Sequence, residues 1–182
     1  MEFISNLIEL LINEPILAAL VALSGLAGIF ISHFGGRSRK EKRHRMYQKS
    51  AKSVSKWAIA AERGEIITRL RKIHPTVFEE LVLESCALMG AKVYRNWRYT
   101  GDGGIDGRIK YKGHFYLIQC KRYTTPIKTK HLRDFEKLCI QRRCRGLFVH
   151  TSNSVVSPLS KAVTVVSGDE LVNLTKGTEL HF

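Results

Sequence analysis

The sequence predicts an α/β domain, a mixed sheet flanked by helices in the order αβββαβ. Three observations predict it. From Thr76 to Phe182 the apolar pattern alternates between helical and strand periods. Two strand-like runs in that stretch are joined by Lys112-Gly113, a pair suited to a tight hairpin. A second amphipathic helical run then leads into a short apolar strand, so helices and strands interleave rather than segregate.

Ahead of this domain, Pro15 to Phe34 reads PILAALVALSGLAGIFISHF, twenty residues without Asp, Glu, Lys or Arg. A helix crosses the hydrocarbon core with about 20 residues. Core helices of that length carry a polar face, and signal peptides open on basic residues, whereas Glu2, Glu9 and Glu14 precede this run. Residues 1–36 are therefore expected to form a single transmembrane anchor. RSRKEKRHR follows, with Lys49, Lys52 and Lys56 beyond it. The positive-inside bias places that side in the cytoplasm, and the expected location is the inner (cytoplasmic) membrane, single-pass. The basic run suits anionic headgroups, and equally reads as a solvated charge run. Small residues at Ala18, Ala22, Ser24, Gly25 and Gly28 are of the kind that packs spans together, which admits a homodimer, although such patterns are common in single spans.

Residues 37–75 read as a basic juxtamembrane stretch and helical connector. From Met46 to Ile73, Val54, Trp57, Ile59, Ile66, Ile67 and Leu70 recur at roughly helical spacing, and the pattern stops at His74-Pro75. The domain proper, 76–182, opens with a helix from Thr76 to Met89, with Val77, Phe78, Leu81, Val82 and Cys86 on its apolar side and Gly90 closing it. Strands are expected over Lys92 to Arg98, Ile105 to Tyr111 and Phe115 to Lys121. A helix from Thr129 to Arg142 buries Leu132, Phe135, Leu138 and Cys139 and ends at Gly146; Leu147 to His150 and Val163 to Val166 are strands, and Asp169 to Leu174 makes a terminal helical turn or two.

With 44% hydrophobic residues the chain can bury a core, which excludes a disordered tail or a disulfide mini-protein. Its 30 Lys and Arg against 16 Asp and Glu give a formal charge of +14, which favours a polyanionic partner, either nucleic acid or an anionic membrane. The cysteines, Cys86, Cys120, Cys139 and Cys144, form no CxxC pair and read as reduced thiols.

Chemistry concentrates in GDGGIDGRI and in the end of FYLIQCK, fifteen residues beyond Asp106. On a strand alternate residues share a face, so Gln119 and Lys121 project together, interrupting the apolar stripe of Phe115 and Leu117. Buried polar groups are costly without partners. Asp106 begins the neighbouring strand across the hairpin and can reach the pair. A carboxylate, an amide oxygen and an ammonium then converge, which is what phosphodiester hydrolysis uses: oxygens to hold a divalent metal such as Mg²⁺, and a lysine to orient or deprotonate water and stabilise developing charge. Taken singly, Asp106 also reads as a turn residue and Lys121 as a strand-end surface charge. Glu79 equally reads as the third residue of a capping box begun by Thr76; Glu80 is a substitute for it, and Asp102 belongs to the Gly-rich loop. Arg122, Tyr123, Lys128, Lys130, His131 and Arg133 follow the candidate strand, while Arg95, Trp97, Arg98 and Tyr99 precede the loop. Basic residues among aromatics suit phosphate contacts, with Arg98, Arg122, Lys128 and Lys130 as the candidate nucleic-acid-binding set.

The run FEELVLESCALMGAKVYRNWRYTGDGGIDGRIKYKGHFYLIQCKRY resembles the Mrr-type restriction endonucleases of the PD-(D/E)xK nuclease superfamily. The features are FE on the first helix, a Gly near its end, DGGID, and QCK in place of the commoner ExK, continued more loosely by GLFVHTS and SGDELVNL. The resemblance implies a restriction-endonuclease-like fold and Mg²⁺-dependent cleavage of double-stranded DNA. It places Asp106, Gln119 and Lys121 at the matching catalytic positions, with Glu79 as the helix acid and Asp106, Gln119 and Glu79 toward the metal. Two features depart from the family pattern: an anchor stands where many relatives carry a winged-helix DNA-reading domain, and no helix is evident between Ser152 and Val163. The activity expected is restriction or mobile-element defence of the type IV kind. The alternatives are a structure-selective nuclease like the Holliday-junction resolvases, or a membrane-attached DNA-binding protein with an inactive site.

Overall fold

A computed structural model describes Ile4, residues 14–95 and residues 104–178; the side chains of residues 15, 17 and 31–38 lie outside the description. The chain divides into two units, Met1–Met46 and Tyr47–Phe182. Helix α1, Pro15–Ala60, supplies most of the described part of the first. There Ile16, Leu20, Val21, Leu23, Leu26, Ile29 and Phe30 are all exposed. Among the described residues no helix is long and apolar enough to cross a membrane. The transmembrane helix expected over Pro15 to Phe34 is therefore not found among them, and the side chains at 15, 17 and 31–34 of that span are outside the description.

In the second unit α1 stops at Ala60, and α2, Arg63–Leu70, follows a break, where the sequence suggested one helix to Ile73. Helix α3 is Pro75–Leu88. It starts one residue earlier than expected because His74 takes the cap: its ring nitrogen accepts from the Thr76 amide at 3.2 Å, and Pro75, with no amide proton to satisfy, fills the first helical position. The Thr76–Glu79 capping box is thus not formed, and Glu79 lies in the second turn.

Strands β1 (Lys92–Arg95), β2 (Gly107–Tyr111) and β3 (His114–Lys121) form an antiparallel meander. Residues 96–98 of the expected first strand lie outside the described residues. Lys112 and Gly113 both adopt positive φ, 46° and 83°, the primed turn whose twist matches its flanking strands. Helix α4, Thr129–Gln141, carries the chain to β4 (Arg145–His150), which lies parallel to β3; β5 (Val163–Val166) is parallel to β4, and α5 (Gly168–Thr175) ends the fold. The sheet runs β1-β2-β3-β4-β5, a mixed sheet as expected.

The sheet separates two apolar clusters. On one side Val54, Ala58, Ile66, Leu70, Phe78, Leu81, Leu171 and Leu174 pack with Ile109, Ile118, Leu147 and Val149. On the other, Leu132, Phe135 and Cys139 of α4 pack with Leu117, Phe148 and Val163. Gly146 is part of β4 rather than the stop of α4. A Cβ there would stand 2.6 Å from Cys139 Sγ and 2.7 Å from Phe135, so its bare backbone lets α4 approach the sheet. Arg142 caps α4 instead, and Arg143 turns the chain at φ 49°.

Candidate active site

β3 is buried along its second half until Lys121, which is half-buried. The register sets Gln119 beside Phe148 and Lys121 beside His150 on β4, so these four side chains share the α4 face of the sheet. Gln119 is 7% exposed. Its Nε2 donates to the Gly104 carbonyl at 2.7 Å, which orients the amide; its Oε1 is buried and meets no hydrogen-bond partner. Gly104 is required for this approach, since it sits at φ +82° and a Cβ on it would fall 2.5 Å from Nε2.

Asp106 stands just ahead of β2. Its amide donates to the Ile118 carbonyl at 2.8 Å, and its Oδ2 accepts from the Cys120 amide at 2.6 Å. The carboxylate is thereby fastened to the backbone between Gln119 and Lys121. Cys120, on the opposite face, senses the whole group: its thiol is pushed well above the ordinary range, first by burial, then by the Asp106 and Glu79 carboxylates, with Lys121 opposing. Asp106, Gln119 and Lys121 therefore meet at the end of β3, and the Glu79 carboxylate lies near enough for the Cys120 thiol to feel its charge. Glu80, the substitute for Glu79, is committed elsewhere: it is 3% exposed and pairs with Arg95 at 3.0 Å, while Glu84 takes the same guanidinium at 3.1 Å. Those ion pairs also withdraw Arg95 from the expected phosphate-contacting set.

His150 is fully buried, and neither ring nitrogen meets a partner at full hydrogen-bond geometry. Burial holds its pKa below the ordinary 6.5, partly offset by the Ser152 backbone, so the ring beside Lys121 is neutral at pH 7. The loops after β3 and β4 are knitted together. The Thr151 amide donates to the Lys121 carbonyl at 3.2 Å, and its hydroxyl donates to the Tyr123 carbonyl at 2.9 Å and accepts from the Tyr123 amide at 3.0 Å. Arg71, the C-cap of α2, donates to the Thr151 carbonyl at 2.8 Å and to Asn153 Oδ1, and Arg122 donates to the Arg71 carbonyl. Of the candidate nucleic-acid contacts, Arg122 is half-buried, Lys128 and Lys130 are exposed at the start of α4, and Arg98 lies outside the described residues, as do Trp97, Tyr99 and Asp102. Sequence reasoning missed Arg71 and His150: one falls in the connector, the other inside a run read as apolar.

Among the described residues no group of three or more His, Cys, Asp or Glu could hold a metal ion. A metal here would depend on the Gln119 amide oxygen. That oxygen fits the part, because it is buried, unpartnered and fixed by the tether on its own nitrogen. The expected ligands Asp106, Gln119 and Glu79 carry only oxygen donors, the chemistry that a hard divalent cation takes.

A mixed sheet flanked by helices, with carboxylates, an amide and a lysine gathered at the end of a central strand, defines an α/β domain with a hydrolytic kind of site. Residues 70–181 match the family model Mrr_cat, restriction endonuclease, and the chain belongs to that family. It is thus a restriction-endonuclease-like nuclease acting on DNA, in a family that generally uses divalent metal ions. No curated protein and no solved structure matches the chain.

Proposed function

We propose that this protein is a membrane-tethered, Mg²⁺-dependent endonuclease of the type IV restriction kind, hydrolysing DNA phosphodiesters in defence against foreign DNA. The observation that carries the catalytic part is the buried, partnerless Oε1 of Gln119 between Asp106 and Lys121. Asp106, Gln119 and Glu79 would hold the metal, which when bound supplies Lewis-acid polarisation of the phosphate and a more acidic water. Lys121 holds or accepts a proton at the attacking water and offsets charge building on the phosphate oxygens. The strand alternation that sets Lys121 on the Gln119 face supports this role. Phe148 and neutral His150 alongside lower the local polarity, which strengthens these interactions.

The tether rests on the uncharged stretch from Pro15 to Phe34, the basic run after it, and the exposed large apolar side chains between Ile16 and Phe30. The basic run supports a nuclease domain on the cytoplasmic side.

The test is plasmid DNA incubated with the detergent-purified full chain, with and without Mg²⁺, alongside Asp106→Ala and Lys121→Ala. The parent is expected to cleave only with the metal, and each variant to lose cleavage by at least about a hundredfold, the scale of losing one charge-stabilising group. Cleavage by both variants at the parent rate would place the reaction elsewhere.

A further inference from the structure

Two guanidinium groups stand beside the candidate site without a counter-ion among the described residues. Arg122 follows Lys121 directly, is half-buried, and donates to the carbonyl of Arg71. Its Nε is buried and meets no hydrogen-bond partner. Arg71 spends its own donors on the Thr151 carbonyl and on Asn153 Oδ1. Every acceptor in this arrangement is neutral, so both positive charges remain, and the Arg122 Nε–H is left without an acceptor. Among the described residues neither guanidinium pairs with a carboxylate. Arg95 is different, held by Glu80 and Glu84, and so is Arg63, held by Asp169 at 2.8 Å. A half-buried charge is costly unless something neutralises it. Among the described residues nothing does, and a third cation, Lys121, adjoins the pair.

The pair is also built rather than floppy. Thr151 is the hub: its amide bonds the Lys121 carbonyl, its carbonyl receives Arg71, and its hydroxyl exchanges bonds with the Tyr123 backbone. Arg71 and Arg122 are therefore held at a fixed offset from Lys121, and little side-chain freedom is left to lose on binding. Forked guanidinium donors match phosphate oxygens. We propose that Arg71 and Arg122 form a phosphate subsite that takes a backbone phosphate of the DNA strand, adjacent to the one attacked at Asp106, Gln119 and Lys121. This deepens the nuclease reading and rests on it for the identity of the strand. The subsite draws on α2, in the helical stretch before His74-Pro75, and gives that stretch a part in holding substrate.

The experiment uses the full chain in detergent, with Asp106→Ala as background so that duplex survives. Binding of two unrelated duplexes is followed over a range of salt, and melting is followed with and without inorganic phosphate. Arg122→Gln and Arg71→Gln are each expected to lower the slope of log affinity against log salt by about 0.9, equally for both duplexes. Both should also lose the rise in melting temperature that phosphate gives the parent. Arg122→Lys and Arg71→Lys keep the charge and should keep most of the slope. If these arginines only staple the loops together, the glutamine variants will melt lower yet bind with the parent slope, which overturns the subsite. Loss of phosphate protection with an unchanged slope assigns the site to free phosphate and overturns the DNA assignment. Plasmid cleavage by the chain with native Asp106 reads the nuclease proposal separately. A reduced slope in a chain that does not cleave leaves the subsite standing without that proposal, and cleavage with an unaltered slope does the reverse.

Discussion

At the scale of single residues, Gln119 is where chemistry and structure meet. A neutral amide gives a cation one oxygen where the commoner motif gives a carboxylate, and the tether to Gly104 decides which end of the amide is free. Gln119→Glu has no amide nitrogen for that tether but restores a charged oxygen, so metal binding should persist or tighten and cleavage should be kept or fall moderately. Gln119→Leu keeps the size, removes the oxygen and should be as inactive as Asp106→Ala; metal titration beside plasmid nicking reads both. Burial lowers the pKa of His150, and this sets a pH dependence. Its pKa is about 6.5 in the unfolded chain. Above that both states are neutral and stability is complete; below it the unfolded chain binds the proton first, so stability falls as pH drops toward the lowered folded value. His150→Leu should flatten that loss, seen as a denaturant midpoint that changes less than the parent's between pH 7.5 and pH 5.5. Asp106, Gln119 and Lys121 were legible in the sequence because strand alternation alone aligns the last two and the hairpin supplies the first. The Arg71 contact was not, because it reaches a carbonyl of Thr151, eighty positions away.

At the scale of elements, the readable features were those with a local cause. Lys112-Gly113 dictated its turn, and the apolar stripe of Leu132, Phe135 and Cys139 dictated the buried face of α4. Glycine misled where its reason was tertiary. Gly146 looked like a helix stop but is a close contact between α4 and β4. Gly146→Val should therefore overpack that contact and cost about 1–3 kcal/mol, as inserted methylenes do in filled cores. In a unit of this size that is a fall of roughly 2–12 °C in melting temperature, with no comparable change after Gly113→Ala beyond the strain of its own turn. Histidine misled in the opposite way: His74 caps α3 through its ring, a role that Thr76 and Glu79 advertised more loudly.

At the scale of the whole molecule, charge and hydropathy say most about where the protein works. The formal charge of +14 agrees with a DNA substrate, and the uncharged run from Pro15 to Phe34 with a membrane address. Full-length protein is expected to sediment with membranes at high speed and to become soluble when residues 1–36 are removed; a full chain that stays in the supernatant without detergent would refute the tether. The overall order of strands and helices was readable because each element announces its own period. The share of the core taken by Ala51, Val54, Ala58 and Ile66 was less so, since a helix ahead of a domain looks like a spacer until its apolar side is seen buried with α3 and α5.

The sheet has its strands in chain order, each new one laid against the edge left by the last. Synthesis can therefore assemble it as it emerges, without reserving a gap for a later insertion. Until α4 has been made and β4 has arrived, however, β3 is an open edge bearing Leu117, Ile118 and the unfinished site. Unpaired edges of that kind recruit other chains. Domain stability aside, the most hazardous moment for this protein is thus the interval in which β3 has left the ribosome and β4 has not, and prolonging it should raise aggregation more than an equal delay after β5 has emerged.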